Sequence, residues 1–404
     1  MSVLERFLDC VSYDTKSDDD STTIPSTPGQ KVLGAHLVEV LKEIGVQDVY
    51  MSEYGYVYGT IPGNVKKAKT VGFIAHMDTA TEISGKDVKP RIIENYDGSD
   101  IVLNEELGIV TEVSAFPNLL NYVGKKIVVT DGTTLLGGDD KAGIAIILQA
   151  AEEIIKGNLP HGDVKICFTP DEEIGRGPLK FDVPAFNADF AYTVDGGALG
   201  GIEFENFNAA SAVVEFTGRS VHPGSSKNKM INACKLAIEF ANMLNPVEAP
   251  EHTEGYEGFN HLGHMEGSVD SAKLAYIIRD HDKDKLNKKK ADFERITAYM
   301  NSKYENNPVK LTITDSYANM REKIYPDNMF IVDLVCEAMK KNGVEPNITP
   351  IRGGTDGATL SFMGLPCPNL CTGDENAHGR HEFVCVDSME AIVKIVETII
   401  DDVE

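Results

Sequence analysis

Short apolar segments that end in clusters of acid and histidine, set among helix-period segments, constrain this chain most. "TVGFIAHMD" (70–78), "KKIVVTDGTTLL" (125–136), "DVKICFTPDEE" (163–173) and "FAYTVDGG" (190–197) read as strands entering loops. "TPGQKVLGAHLVEVLKEIG" (27–45) has apolar positions at helical spacing and a glycine stop, and "KAGIAIILQAAEEIIKG" (141–157) is a strongly apolar helix. Strands this apolar, interleaved with helices, predict a mostly parallel sheet with helices on both faces.

The pattern changes near residue 206. "SAVVEFTGRS" (211–220), the helix "INACKLAIEFANMLN" (231–245), "GFNHLGHMEG" (258–267), "SAKLAYIIRDHD" (271–282), a Lys-rich helix (285–305) and "PVKLTITDSY" (308–317) give the order β-α-β-β-α-β. That order is ferredoxin-like. After about residue 322 the first style resumes, with helices expected over 327–342 and 387–402. A chain of 404 residues is long for one core. The expected organisation is one α/β domain in two pieces, 1–205 and 322–404, interrupted by an inserted α+β domain over 206–321. Segment 81–123 reads as a long, irregular surface excursion.

Four polar clusters fall where strands should end: "HMD" (76–78), "GGDDKAG" (137–143), "DEEIG" (171–175) and "VDGG" (194–197). A fifth, "ENAHGRHEF" (375–383), lies near the C-terminus. The carboxyl ends of strands in an open α/β sheet line its ligand crevice, so the clusters can converge there. Converging carboxylates repel one another and raise each other's pKa unless cations intervene. Histidine with carboxylate suits Zn²⁺, with Mn²⁺ or Co²⁺ as possible substitutes. Two zinc ions against three carboxylates leave positive charge, which lowers the pKa of bound water, and a carboxylate off the metal can take the proton. Such a set is suited to hydrolysis.

"HMD", "GGDDKAG", "DEEIG", "VDGG" and the H-x-x-x-E of "HGRHE" resemble, in order, the motifs of the di-zinc M20 metallopeptidases. "TPDEEIGRG", "TVDGG", "IRGGTDGA" and "HGRHEF" look like its aminotripeptidase branch, and the likeness extends over essentially the whole chain. It implies a zinc-peptidase catalytic domain with a lid or dimerisation domain. It assigns His76 and Asp195 to one ion, Glu173 and His378 to the other, and Asp139 as the bridge, with a cis peptide between Asp139 and Asp140. Asp78 would orient His76, and Glu172 would be the general base acting on a hydroxide that bridges the ions. The lid residue His222 would stabilise the oxyanion. Arg279 and Arg352 are candidates for the substrate's carboxylate or carbonyls; from spacing alone, a surface ion pair is the better reading of both.

The implied activity is release of the N-terminal residue from tripeptides by a zinc-dependent metallo-aminopeptidase. Alternatives are another M20-type hydrolase (a dipeptidase, carboxypeptidase or N-acyl amino acid hydrolase) or a non-catalytic metal- or peptide-binding protein. The expected partner is a short peptide. A net charge of -25 argues against nucleic acid and anionic membranes, and no apolar run is long enough to span a bilayer. Seven scattered cysteines suggest reduced thiols. "MSVLERFLDCVSYDT" lacks the basic-then-apolar pattern of a secretory signal, so the expected location is cytoplasmic, as monomer or homodimer.

Overall fold

The computed structural model describes residues 1–66 and 69–403. The chain folds into two compact units, one of residues 1–204, 320–349 and 355–404, the other of residues 205–319 and 350–354.

The first unit is built on an eight-stranded sheet in the order Gln47–Met51, Val57–Ile61, Val164–Thr169, Val71–His76, Phe190–Gly196, Asn369–Cys371, Gly201–Glu203, Asn347–Ile348. Its four central strands, Val164–Thr169 through Asn369–Cys371, run parallel, and antiparallel pairs flank them. Successive side chains of a strand point to opposite faces, and the core follows that rule. Phe73, Ile166 and Tyr192 enter the large apolar cluster under helices Val3–Val11, Gly138–Gly157, Phe330–Lys341 and Val386–Asp402. Their neighbours Ile74, Cys167 and Ala191 enter a second cluster with Tyr56, Phe181 and Leu360. Both faces are therefore covered.

Register decides what reaches the edge. His76 pairs with Thr169, and Ile74 with Thr193. His76, Asp195 and the residues just after Thr169 consequently leave the sheet at one level. The helix Gly138–Gly157 lies against this edge closely enough that a Cβ on Gly143 would sit 2.0 Å from the Val194 carbonyl oxygen and 2.4 Å from Asp140 Oδ1. Backbone cannot yield as a flexible side chain can. Gly143→Ala is expected to cost about 1–3 kcal/mol or more, measured as a lowered thermal midpoint.

Two expectations change. Of residues 125–136 only Ile127–Val129 is a strand, and it joins a separate four-stranded sheet with Asp374–Glu375, Phe383–Cys385 and Arg91–Ile93. Segment 81–123 is no mere excursion. It carries the strands Arg91–Ile93, Ile101–Asn104 and Ile109–Thr111, and it buries Tyr96, Leu119 and Tyr122 against Phe383. Its apolar residues are too widely spaced to show a period, so pairing partners far along the chain settle its structure.

The second unit is a four-stranded antiparallel sheet ordered Phe259–Gly267, Ser271–Asp280, Asn208–Thr217, Val309–Asp315. Helices Ala233–Met243 and Lys283–Lys303 supply Phe240 and Phe293 to its core, opposite Phe216 and Leu274. This is the β-α-β-β-α-β order with ferredoxin-like pairing. All seven cysteines are free, and five are buried. Among the described residues, no helix is long and apolar enough to cross a membrane.

Candidate metal centre and active site

At the carboxyl edge of the parallel strands two groups of potential ligands meet. His76, Asp139 and Asp195 form one and Asp139, Glu173 and His378 the other, with ligand atoms in each group lying within 4.8 Å of one another. The two oxygens of Asp139 face different histidines: Oδ1 is 2.8 Å from His76 Nε2, and Oδ2 is 3.2 Å from His378 Nε2. Asp195 Oδ1 lies 3.5 Å from His76 Nε2, and Glu173 Oε2 lies 3.1 Å from His378 Nε2. The Asp139–Asp140 peptide is cis. The arrangement is that of two adjacent cation sites sharing one carboxylate.

The electrostatics fit cations. Burial pushes the Asp195 carboxyl up to about 6 and that of Glu173 up to about 7. Hydrogen bonds to Asp139 and Glu173 hold the His378 imidazole up to about 11, so in the metal-free chain an imidazolium proton stands where a metal charge would. Glu173 Oε1 is buried without a hydrogen-bond partner, which a metal bond would satisfy. A cavity of about 190 Å³ beside Asp139 and Asp195 is lined further by Thr372, Asp374 and Glu375, with no basic side chain. The donor set of imidazoles and carboxylates suits zinc or a neighbouring divalent ion.

Glu172 belongs to neither ligand group. Burial, then the charges of Asp356 and Asp195, push its carboxyl well above the usual range. Asp171 has a left-handed backbone (φ 58°), and a 3₁₀ turn over Glu172–Ile174 follows it. In that turn the two glutamates need not alternate in direction as strand residues would.

Asp78 does more than face His76. The imidazole Nδ1 is 3.1 Å from the Asp78 main-chain oxygen and 3.3 Å from Oδ1. The carboxylate accepts the Glu172 N–H at 3.0 Å and the Glu173 N–H at 3.1 Å. It thus ties the strand carrying His76 to the turn carrying both glutamates. Asp140 ties the strand to the helix, accepting the His76 N–H at 3.0 Å and the Gly143 N–H at 3.2 Å.

Residues to which the motifs assign no role complete the frame. Glu382 is buried and accepts N–H groups from Leu136 (2.6 Å), Gly137 (2.9 Å) and Asp139 (3.1 Å). It cradles the loop that presents Asp139, and its place in "HGRHE" is the one signal of it in the sequence. Outer partners of metal ligands typically contribute 10–100-fold in affinity. Glu382→Gln is expected to weaken metal binding by about that factor, read by competition with a chromophoric chelator. Asp356 accepts the Thr169 hydroxyl at 3.0 Å, and Asp374 Oδ1 is buried without a partner. Asp356 lies in "IRGGTDGA", but the motif gave it no role, and no motif includes Asp374.

The three candidate substrate residues lie in the second unit. His222 is exposed, its Nδ1 accepting the Gly224 N–H at 3.2 Å. Arg279 donates to the carbonyls of Ala210 and Ile278 and lies over the Tyr317 ring. Arg352 donates to the carbonyls of Thr253, Gly255 and Glu257 and to the Thr253 hydroxyl. Neither arginine forms a carboxylate ion pair in these contacts.

With this fold and this edge of ligands, the chain belongs to peptidase family M20/M25/M40, whose family model matches residues 131–402. Within that family it is similar to the peptidase T of Caldanaerobacter subterraneus subsp. tengcongensis, being 54% identical over 99% of this chain and 98% of that protein. Its fold is similar to the crystal structure of aminopeptidase PepT from Bacillus cereus ATCC 10987, with a TM-score of 0.78 at 21% identity, covering 99% and 98% of the two chains. It is equally similar to a tripeptidase from Staphylococcus aureus, with a TM-score of 0.78 at 22% identity, covering 99% and 97%.

Proposed function

We propose that this protein is a zinc-dependent aminopeptidase that releases the N-terminal residue from tripeptides, with Mn²⁺ or Co²⁺ as possible substitutes for zinc. The observation that carries the reading is the shared Asp139 between two ligand triads, with Glu172 beside them and in neither. The peptidase T relative supports the peptide substrate.

His76 and Asp195 would hold one ion, Glu173 and His378 the other, and Asp139 both. When bound, the pair polarises a carbonyl and lowers the pKa of water. Glu172 takes the proton of the attacking water at its carboxylate and returns it to the leaving amine. The cavity walls, which carry acidic side chains and no basic one, favour the free ammonium of an unblocked N-terminus. Residues 206–321 would serve as a lid, with His222 as oxyanion donor; Arg279, and Arg352 from outside that stretch, would bind the substrate's carboxylate or carbonyls.

The test compares initial rates on one tripeptide, its N-acetylated form, and the matching dipeptide and tetrapeptide. The unblocked tripeptide should lead by about 100-fold or more, since each lost charge contact is worth a few kcal/mol. Equal hydrolysis of the acetylated peptide would point to an N-acyl hydrolase instead, and a faster dipeptide to a dipeptidase.

A further inference from the structure

Both glutamates of the active turn are preceded by an acid that holds no metal, and that acid is gripped by a distant part of the chain. Asp171 is fully buried and left-handed. Its carboxylate accepts the Ser26 N–H at 2.8 and 2.9 Å, the Ser26 hydroxyl at 2.5 Å and the Gln30 amide at 2.7 Å. Gln30, itself fully buried at the start of helix Pro28–Ile44, also accepts the Asp171 N–H through Oε1 at 3.1 Å. One planar amide thus reads both the main chain and the side chain of one residue. That grip needs a donor and an acceptor on one group, which neither an ionised Glu nor a Lys offers.

The grip extends to the other side of the turn. Ser17 donates its hydroxyl to Asp78 Oδ2 at 2.5 Å and lies 3.5 Å from Asp171 Oδ1. Asp78 in turn accepts the N–H groups of Glu172 and Glu173. Its own place is fixed by the segment before Ser17, since Lys16 pairs with Thr79 in an isolated parallel bridge and the Ser17 N–H donates to the Thr79 carbonyl at 3.1 Å. The carboxylates that bracket the two glutamates, Asp78 and Asp171, are joined through Ser17. Every donor to Asp171 here is neutral, so the bonds fix direction without cancelling charge.

We propose that Gln30, with Ser17 and Ser26, is a positioning device: it holds Asp171 in its left-handed conformation and so aims Glu172 away from the metals and Glu173 toward them. Among the described residues no hydrogen bond or ion pair joins segment 15–30 to a proposed ligand, yet the segment sets the division between base and ligand. This rests on the function proposed above for those two glutamates.

The test uses the full chain and three variants, reading kcat, KM and zinc affinity by chelator competition. Gln30→Glu keeps the shape and the acceptor and, assayed at a pH where it is ionised, loses the donor and places a second carboxylate beside Asp171. It should lower kcat about 10–100-fold with KM within about threefold, and weaken the Glu173-containing zinc site about tenfold. Adding Asp171→Asn to it restores a donor facing an acceptor and should recover at least about fivefold in kcat. Gln30→Met, uncharged and of similar length, should show the same losses if Gln30→Glu does not fold. A folded Gln30→Met or Gln30→Glu with kcat and zinc affinity within about twofold of the parent overturns the proposal, as does a folded double variant no better than Gln30→Glu. If the parent chain cleaves no tripeptide, the functional reading fails by itself, and zinc affinity still decides the positioning claim.

Discussion

Glu172→Ala should lower kcat by roughly 10²–10⁴-fold, the range for a positioned general acid–base group, and leave two metal equivalents bound. Both halves follow from one geometry. Glu172 lies outside the two ligand triads, so its loss removes no ligand. The charges of Asp356, Asp195 and Glu173 disfavour its carboxylate, so removing it relieves repulsion and should not lower thermal stability. Glu173→Ala should differ in kind, because Glu173 Oε2 faces His378 Nε2 at 3.1 Å and that ion would be lost with it. Metal content by mass spectrometry, taken with kcat on the same samples, separates the two variants. Loss of metal from Glu172→Ala would reverse the assignment of base and ligand.

Removing the metals should lower the melting temperature by roughly 10 °C, because ions bound only by the folded state at about 1,000 times their Kd stabilise it by about 4 kcal/mol each. The ligands come from residues 76, 139, 173, 195 and 378, so the ions join segments that are far apart in the chain. The metal-free protein should also lose stability as pH rises from about 5 to about 8. Burial raises Asp195 to about 6, Glu173 and Glu203 to about 7, and Asp356 to about 8. In that window the folded chain binds more protons than the unfolded one, so unfolding releases protons and raising pH favours it. His378, raised to about 11, contributes in the same direction: its stabilisation is present below its unfolded value and fades as pH climbs. Asp139 is held below the usual carboxylate range and is ionised in both states here, adding no slope. Metal-loaded protein should show a flatter profile, since the ligands Asp195 and Glu173 then need no protons. An unchanged melting curve after verified metal removal, or a metal-free midpoint that rises with pH, would contradict the electrostatic account.

Three of the four central strands were legible in the sequence because each is mostly apolar and ends in a polar cluster; the short Asn369–Cys371 was not read as a strand. Val71–His76 and Phe190–Gly196 fall within the segments read as 70–78 and 190–197. The inserted unit was legible from alternation, as in Asn208–Thr217 with its inward Val214 and Phe216. What sequence could not show was anything set by pairing across long separations. The sheet that joins Arg91–Ile93, Ile127–Val129 and Phe383–Cys385 depends on segments nearly 300 residues apart. The same holds in the site. Asp78 and Glu382 act by accepting main-chain N–H groups of loops remote in sequence, and a backbone donor leaves no trace in residue type. Asp374 becomes notable only through burial, and Asp356, though within "IRGGTDGA", acquires its place only through its contact with Thr169.

On this proposal, the two ligand triads and Glu172 make a tripeptide aminopeptidase. The most direct test is mass analysis of products from an unblocked tripeptide of three different residues, incubated with zinc-loaded protein. A free first residue and an intact dipeptide are predicted. Release of the third residue instead, or no cleavage with both metals bound, would contradict it.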